Sequence, residues 1–212
     1  MIINKRHSEK VAEILLNINA VKLQPSNFFT WSSGKKSPIY CDNRIILSHP
    51  KERTIIQNIF AEYINTEFQS IDYIAGVATG AIAHGVMVAS KLNLPFIYVR
   101  DKAKGHGRQN QIEGNLKERS KLIVIEDLIS TGKSSINAIK AIEESNCKVN
   151  GLISIFTYGF FDTNKIQIPC VSLCNYETLV KVAIDKDIIT KEEVTILENW
   201  KKELSNDFLS ND

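Results

Sequence analysis

Val124-Ile125-Glu126-Asp127-Leu128-Ile129-Ser130-Thr131-Gly132-Lys133-Ser134 is an apolar run that meets two acids and then a short hydroxyl-rich turn ahead of a helical pattern. An apolar run without polar alternation predicts a strand covered on both faces, as in a parallel sheet flanked by helices. Adjacent acids at the end of such a strand are costly to place without a ligand or partner, so the same stretch marks a candidate site. The turn offers an anion the backbone N–H groups of Ser130, Thr131, Gly132, Lys133 and Ser134. The hydroxyls of Ser130, Thr131 and Ser134 join them at the positive end of a helix. Glu126 and Asp127 would repel a phosphate placed beside them and must face something else. Ribose hydroxyls suit them, as does a magnesium ion held by Asp127 directly or through water.

Two familiar phosphate loops do not fit. A Walker A loop ending at Gly132-Lys133-Ser134 needs glycine where Asp127 stands, and a dinucleotide loop begun by Gly105 and Gly107 needs glycine where Asn110 stands.

On either side of this stretch apolar runs alternate with helical spacings. They predict strands at 73–77, 96–100, 122–126 and 152–158, and helices at 81–92 and 134–144. An earlier helix has Ser48 as candidate cap and Pro50 in its first turn, with Ile55, Ile56, Ile59, Phe60, Tyr63 and Ile64 on one face. Ser8 is the candidate cap of an N-terminal helix carrying Val11, Ile14, Leu15 and Ile18. Between these helices, aromatic and β-branched residues broken by Pro25, Ser32-Ser33-Gly34 and Pro38 read as short strands and turns. The expectation is one α/β domain over 1–212, a central parallel sheet flanked by helices. A small hood from about 20–46 and C-terminal elements covers it, and the tail from 205 to 212 is expected to fray. Ligands of such sheets sit beyond the carboxyl ends of the strands, which selects the loops after Val77, Arg100 and Glu126.

Composition narrows the function classes. A formal charge of +2 arises from 26 basic and 24 acidic residues spread along 212 positions, so no basic stripe for nucleic acid stands out. The longest apolar runs fall far short of the ~20 residues of a membrane span, and the chain reads as soluble and cytoplasmic. Cys41, Cys147, Cys170 and Cys174 are too scattered for a disulfide framework. Cys170 and Cys174 lack a second pair or a nearby histidine, and read as reduced core thiols rather than a zinc site.

Three further segments carry chemistry. Arg100-Asp101-Lys102-Ala103-Lys104-Gly105-His106-Gly107-Arg108 gathers cationic side chains in a glycine-containing loop after a strand. Such a run is commonly a solvated surface, but its position beside the first motif suits an arm closing on a polyanion. Within Phe29-Thr30-Trp31-Ser32-Ser33-Gly34-Lys35-Lys36-Ser37-Pro38-Ile39-Tyr40-Cys41-Asp42-Asn43-Arg44, Tyr40 can stack on a flat base while Lys36 and Arg44 meet a carboxylate. In Gly76-Val77-Ala78-Thr79-Gly80-Ala81, small residues at Ala78, Thr79 and Gly80 let backbone amides approach an anion.

Residues 124–134 closely resemble the phosphoribosyl pyrophosphate (PRPP) signature of the type I phosphoribosyltransferases. The resemblance implies their fold and PRPP contacts along Glu126, Asp127, Leu128, Ile129, Ser130, Thr131, Gly132, Lys133 and Ser134. Its acids contact the ribose hydroxyls, and the turn holds the 5-phosphate. The loop at Ala78, Thr79 and Gly80 resembles the one that holds pyrophosphate. The pattern RxxxKxHG, carried by Arg100, Lys104 and His106, resembles the catalytic loop of orotate phosphoribosyltransferases, and residues 29–44 are similar to their hood. That resemblance implies transfer of phosphoribosyl from PRPP to orotate with Mg²⁺, in a homodimer whose catalytic loops reach into the neighbouring sites. Ser130, Tyr40, Lys36 and Arg44 are the residues expected at orotate. The chain departs from many members at Asp101, where they carry a second lysine, and at Ser32 and the end of the 152–158 strand, where some relatives place a lysine and an arginine. A transferase for a purine base and a PRPP-sensing regulator without turnover are the rival readings. The loop and hood argue against the first, and the lack of a basic stripe or helix-turn-helix extension against the second.

Overall fold

The computed structural model describes residues 1–31, 34–101 and 111–209. In chain order they form α1 (Lys5–Asn17), β1 (Val21–Leu23), β2 (Phe29–Thr30), β3 (Lys36–Ser37), β4 (Ile39–Cys41), a 3-10 turn (Asn43–Ser48), α2 (Pro50–Glu67), β5 (Tyr73–Val77), α3 (Ala81–Leu92), β6 (Phe96–Val99), β7 (Ile112–Glu113), β8 (Lys121–Ile129), α4 (Lys133–Glu144), β9 (Lys148–Thr157), β10 (Cys170–Asn175), α5 (Tyr176–Asp185) and α6 (Lys191–Leu209).

The run Leu122-Ile123-Val124-Ile125 is wholly buried because both of its faces meet apolar side chains. Ile123 and Ile125 pack into a core with α1, α2, α3, α5 and α6, whereas Leu122 and Val124 pack with Ala138, Ile139 and Ile142 of α4. This two-sided burial accounts for the missing polar alternation. The sheet runs β10-β9-β8-β5-β6-β7, parallel except for the short β7 at the edge. Ala75 aligns with Val124, and Val124 with Leu152. The chain leaves β5 towards β6 on one side and returns in β8 on the other, so the strand order reverses between β5 and β8. That is where open α/β sheets leave a crevice for a ligand.

The structure corrects several boundaries. Asn4, not Ser8, caps α1, its side-chain oxygen accepting from His7 N–H at 2.9 Å, while Ser8 is buried inside the helix. Ser48 closes the 3-10 turn, and α2 starts at Pro50 after His49, which makes no side-chain cap. β8 does not stop at Glu126. Its pairing with β5 ends at Gly76 and Ile125, but pairing with β9 carries it to Ile129 opposite Thr157. β9 starts at Lys148, four residues earlier than its apolar run, and α6 continues to Leu209 through most of the segment expected to fray. All four cysteines are free thiols, and no helix of the described residues is long and apolar enough to cross a membrane.

The hood is two small antiparallel ladders, β1 with β4 and β2 with β3. Trp31 Nε1 donates to Ile39 O at 3.1 Å, and Trp200 Nε1 of α6 donates to Lys36 O at 3.2 Å. The Trp31 and Trp200 rings meet edge-on at 5.8 Å, so α6 is stitched to the hood by both packing and hydrogen bonding.

Candidate active site

The two neighbouring acids of β8 have opposite surroundings. Glu126 is buried, its carboxyl accepting from Asp127 N–H at 3.1 Å and from the Ser135 hydroxyl at 3.3 Å. Burial, reinforced by the Asp127 charge, holds the Glu126 carboxyl well above the ordinary carboxylate range. Asp127 is half-buried and its carboxylate stands against Gly80, where an added Cβ would collide with it. The second acid of β8 and the loop after β5 are thus in contact across the crevice, and glycine at position 80 makes that approach feasible.

Beyond Asp127 the turn contains half-buried Ser130, with Thr131, Lys133 and Ser134 exposed. Gly132 occupies the cap of α4 at φ +79, and its α-hydrogen faces the Phe161 ring where a Cβ would collide. No side chain caps α4, and none caps α3 at Gly80, whereas Asn4 and Asn175 cap α1 and α5. Two helix N-termini at the carboxyl edge of the sheet therefore present first-turn N–H groups that an anion can satisfy. Exposed Thr79 lies between half-buried Ala78 and Gly80, and the Ala78–Thr79 peptide bond is cis.

A cleft of about 460 Å³ opens beside this turn. Thr30, Trp31, Tyr40 and Cys41 of the hood line it, facing Leu128 of β8 and Ser130 and Tyr158 just beyond the ends of β8 and β9. Tyr40, 39% exposed, leans on Phe29 at 5.7 Å between ring centroids. Burial pushes the Tyr158 hydroxyl well up, and burial together with Asp127 does the same for the Cys41 thiol, so both wall groups stay uncharged. Lys36 Nζ donates to the Thr30 hydroxyl at 2.8 Å, which puts a cation beside the cleft. Arg44 is committed elsewhere, with Nε 2.7 Å from Asp42 Oδ1 and Nη2 2.9 Å from Oδ2. That pairing holds the Asp42 carboxyl below its ordinary value.

Arg100 leaves β6 at the foot of the cationic loop. Its N–H donates to Gln111 O at 2.9 Å, and Nη1 lies 3.3 Å from Glu113 Oε1. The antiparallel pairs Tyr98 with Glu113 and Val99 with Ile112 hold the two arms of this loop together. Lys104 and His106 lie outside the described residues, as does Lys102.

The donor set bears on magnesium. Among the described residues no three His, Cys, Asp or Glu side chains cluster as a metal cage. Glu126 is turned under the loop, which leaves Asp127 as the carboxylate in reach of the crevice. One hard oxygen donor beside an anion-binding turn fits an ion that takes most of its ligands from a bound phosphate ester and water.

Residues 42–175 match the family model described as phosphoribosyl transferase domain. Orotate phosphoribosyltransferase of Phocaeicola vulgatus is 48% identical over 198 residues, covering 91% of this chain and 92% of that protein. The enzyme of that name from Listeria innocua is likewise 48% identical over 198 residues, covering 92% and 95%. The chain belongs to the orotate phosphoribosyltransferase family. Its fold is that of the type I phosphoribosyltransferases. The crystal structure of orotate phosphoribosyltransferase from Aeropyrum pernix superposes with a TM-score of 0.72 at 25% identity, over 81% of this chain and 96% of that one. Within this orotate phosphoribosyltransferase fold, sequence reading missed the cleft residues Thr30, Trp31, Cys41 and Tyr158 and two buried polar side chains beneath Asp127, Asn43 and His84. For those in the hood only the residue types gave a hint, and His84 and Tyr158 gave none, since their chemistry arises from where the chain folds back.

Proposed function

We infer that this chain transfers the phosphoribosyl group of PRPP to orotate, giving orotidine 5'-monophosphate and pyrophosphate in the cytoplasmic route to UMP. The observation that carries the reading is the meeting of three features at the carboxyl ends of β5 and β8. The Asp127 carboxylate, two helix N-termini without side-chain caps and an aromatic cleft adjoin one another there. A sugar with phosphates at both ends and a flat base next to its anomeric carbon match that arrangement.

In this reading the turn of Ser130, Thr131, Gly132, Lys133 and Ser134 seats the 5-phosphate through N–H groups and hydroxyls. Asp127 accepts from the ribose hydroxyls, with Glu126 supporting it from below. Ala78, Thr79 and Gly80 receive the pyrophosphate at the start of α3. Orotate lies in the cleft against Tyr40, with Ser130 and Lys36 available to its polar edge and carboxylate, while the Asp42 pair leaves Arg44 a lesser part. The ring nitrogen of orotate forms a bond to the anomeric carbon as the bond to the pyrophosphate oxygen breaks, and the electron pair leaves with pyrophosphate. Orotate that has lost its ring proton needs no strong base. Arg100, Lys104 and His106 are assigned to electrostatic stabilisation of the leaving group, an effect worth about 3 kcal/mol per important donor. Mg²⁺ bound to the diphosphate, with Asp127 as a contact through water, would supply further charge neutralisation.

A homodimer with shared loops accompanies this reading. α3 presents Ile82, Val86 and Met87 on its outer side, with Val86 45% exposed, an apolar surface suited to a second copy. Pyrophosphate release in the presence of PRPP and Mg²⁺ tests the reaction. Release should require orotate and be absent with adenine or hypoxanthine, while release driven by a purine, or binding of PRPP without turnover, contradicts it.

A further inference from the structure

The hood carries most of the base cleft and β8 carries the sugar end of the site, yet the two are distant in sequence. Asn43, 1% exposed, joins them. Its Nδ2 donates to the main-chain carbonyl of Asp127 at 2.6 Å, across 84 positions of chain. His84 of α3, 2% exposed, stands behind it with Nε2 3.3 Å from Asn43 O. A carbonyl only accepts, so Nε2 carries the hydrogen in this contact. The bond falls where β8 has outrun β5, past the last pair at Gly76 and Ile125. The strand there has β9 on one side and no strand on the other, and its placement depends on what the hood supplies.

We propose that Asn43 and His84 are positioning residues for the transfer reaction, fixing Asp127 and the hood in one register so that the base in the cleft faces the anomeric carbon of the sugar. The inference rests on the reading of this chain as an orotate phosphoribosyltransferase. Three features carry it. Tyr40 and Cys41 of the cleft are within three residues of Asn43, so a shift of the Asn43 anchor moves the cleft wall directly. The Asp127 main chain is held by this bond at its carbonyl and by Glu126 at its N–H, which leaves the side chain poised against Gly80. Asn43 Oδ1 is buried with no hydrogen-bond partner among the described residues. A buried amide that satisfies only its donor side is an uneconomical choice for stability alone.

A double-mutant cycle in turnover separates positioning through Asp127 from a general structural role. In folded protein, Asn43→Ala should lower kcat/KM for PRPP about tenfold with a smaller change in its dissociation constant. In the Asp127→Asn background the same change should cost less than twofold, because the group being positioned is already impaired. His84→Gln, which retains a donor, should hold kcat within about threefold of wild type, whereas His84→Ala should fall about tenfold. Equal costs of Asn43→Ala in both backgrounds, or wild-type rates in Asn43→Ala, would overturn the proposal. If Asn43→Ala does not fold, the histidine pair decides, and equal rates for Gln and Ala at position 84 overturn it. A folded wild type without turnover defeats the reaction reading and this proposal together, while an active wild type with additive costs defeats the proposal alone.

Discussion

Adjacent carboxyl groups at 126 and 127 show how strongly position along one strand controls chemistry. The Asp127 side chain faces the crevice, while Glu126 is 5% exposed and accepts from Ser135 and from Asp127 N–H. Burial and the Asp127 charge raise the Glu126 carboxyl well above its usual range, so the folded state favours its neutral form. Below the ordinary glutamate pKa both folded and unfolded chains carry the proton, and the contribution to stability is whole. As pH rises from there through the raised value, the unfolded chain ionises first and stability is lost. Glu126→Gln, which imitates the neutral carboxyl, should therefore melt near wild type at pH 4.5 and above it at pH 8. A wild-type melting curve whose pH dependence survives this substitution unchanged would refute the assignment of Glu126 as the strained acid.

At the scale of elements, α6 and the hood are packed together as one unit beside the aromatic cleft. Trp200 is 6% exposed and meets Trp31, Tyr158, Phe160 and Tyr176 within 6.4 Å between centroids, besides bonding Lys36 O. Trp200→Ala should cost about 3 to 5 kcal/mol of stability by thermal or denaturant unfolding. In the protein that remains folded, KM for orotate should rise more than KM for PRPP, because the hood loses its support while the β8 turn keeps its own. An equal rise in both would contradict the division of labour. The sheet strands and central helices were legible because β5 and α3 are uninterrupted apolar or helically spaced runs, and the structure places them at Tyr73–Val77 and Ala81–Leu92 as expected. β9 and β10 were harder to read. Lys148, Asn150 and Gly151 open β9 with polar or small residues, and Ser172 interrupts β10 because its hydroxyl is satisfied by Ser154 at 2.6 Å inside the sheet. The candidate phosphate turn could be proposed from local sequence since its residues are consecutive. Asn43 and His84 could not, because their roles depend on contacts between segments that only folding brings together.

For the molecule as a whole, the cationic loop is the part whose proposed work depends on a partner. Arg100 stands at its foot beside Glu113, and in the homodimer reading Lys104 and His106 serve the neighbouring site. Lys104→Ala and Asp127→Ala should each cut turnover by orders of magnitude with the fold intact. Mixed after subunit exchange, they should recover about a quarter of wild-type activity, because half of the dimers are hybrid and each hybrid has one site with both residues intact. No recovery after demonstrated exchange would show that each chain uses its own loop. Beneath all of these expectations lies the proposed seat for PRPP, formed by the turn after Asp127 and the loop at Ala78, Thr79 and Gly80. Isothermal titration of the folded protein with PRPP and Mg²⁺ measures it most directly: saturable binding at one site per chain, weakened at least tenfold by Asp127→Ala, is expected, and an absence of binding to intact protein would contradict it.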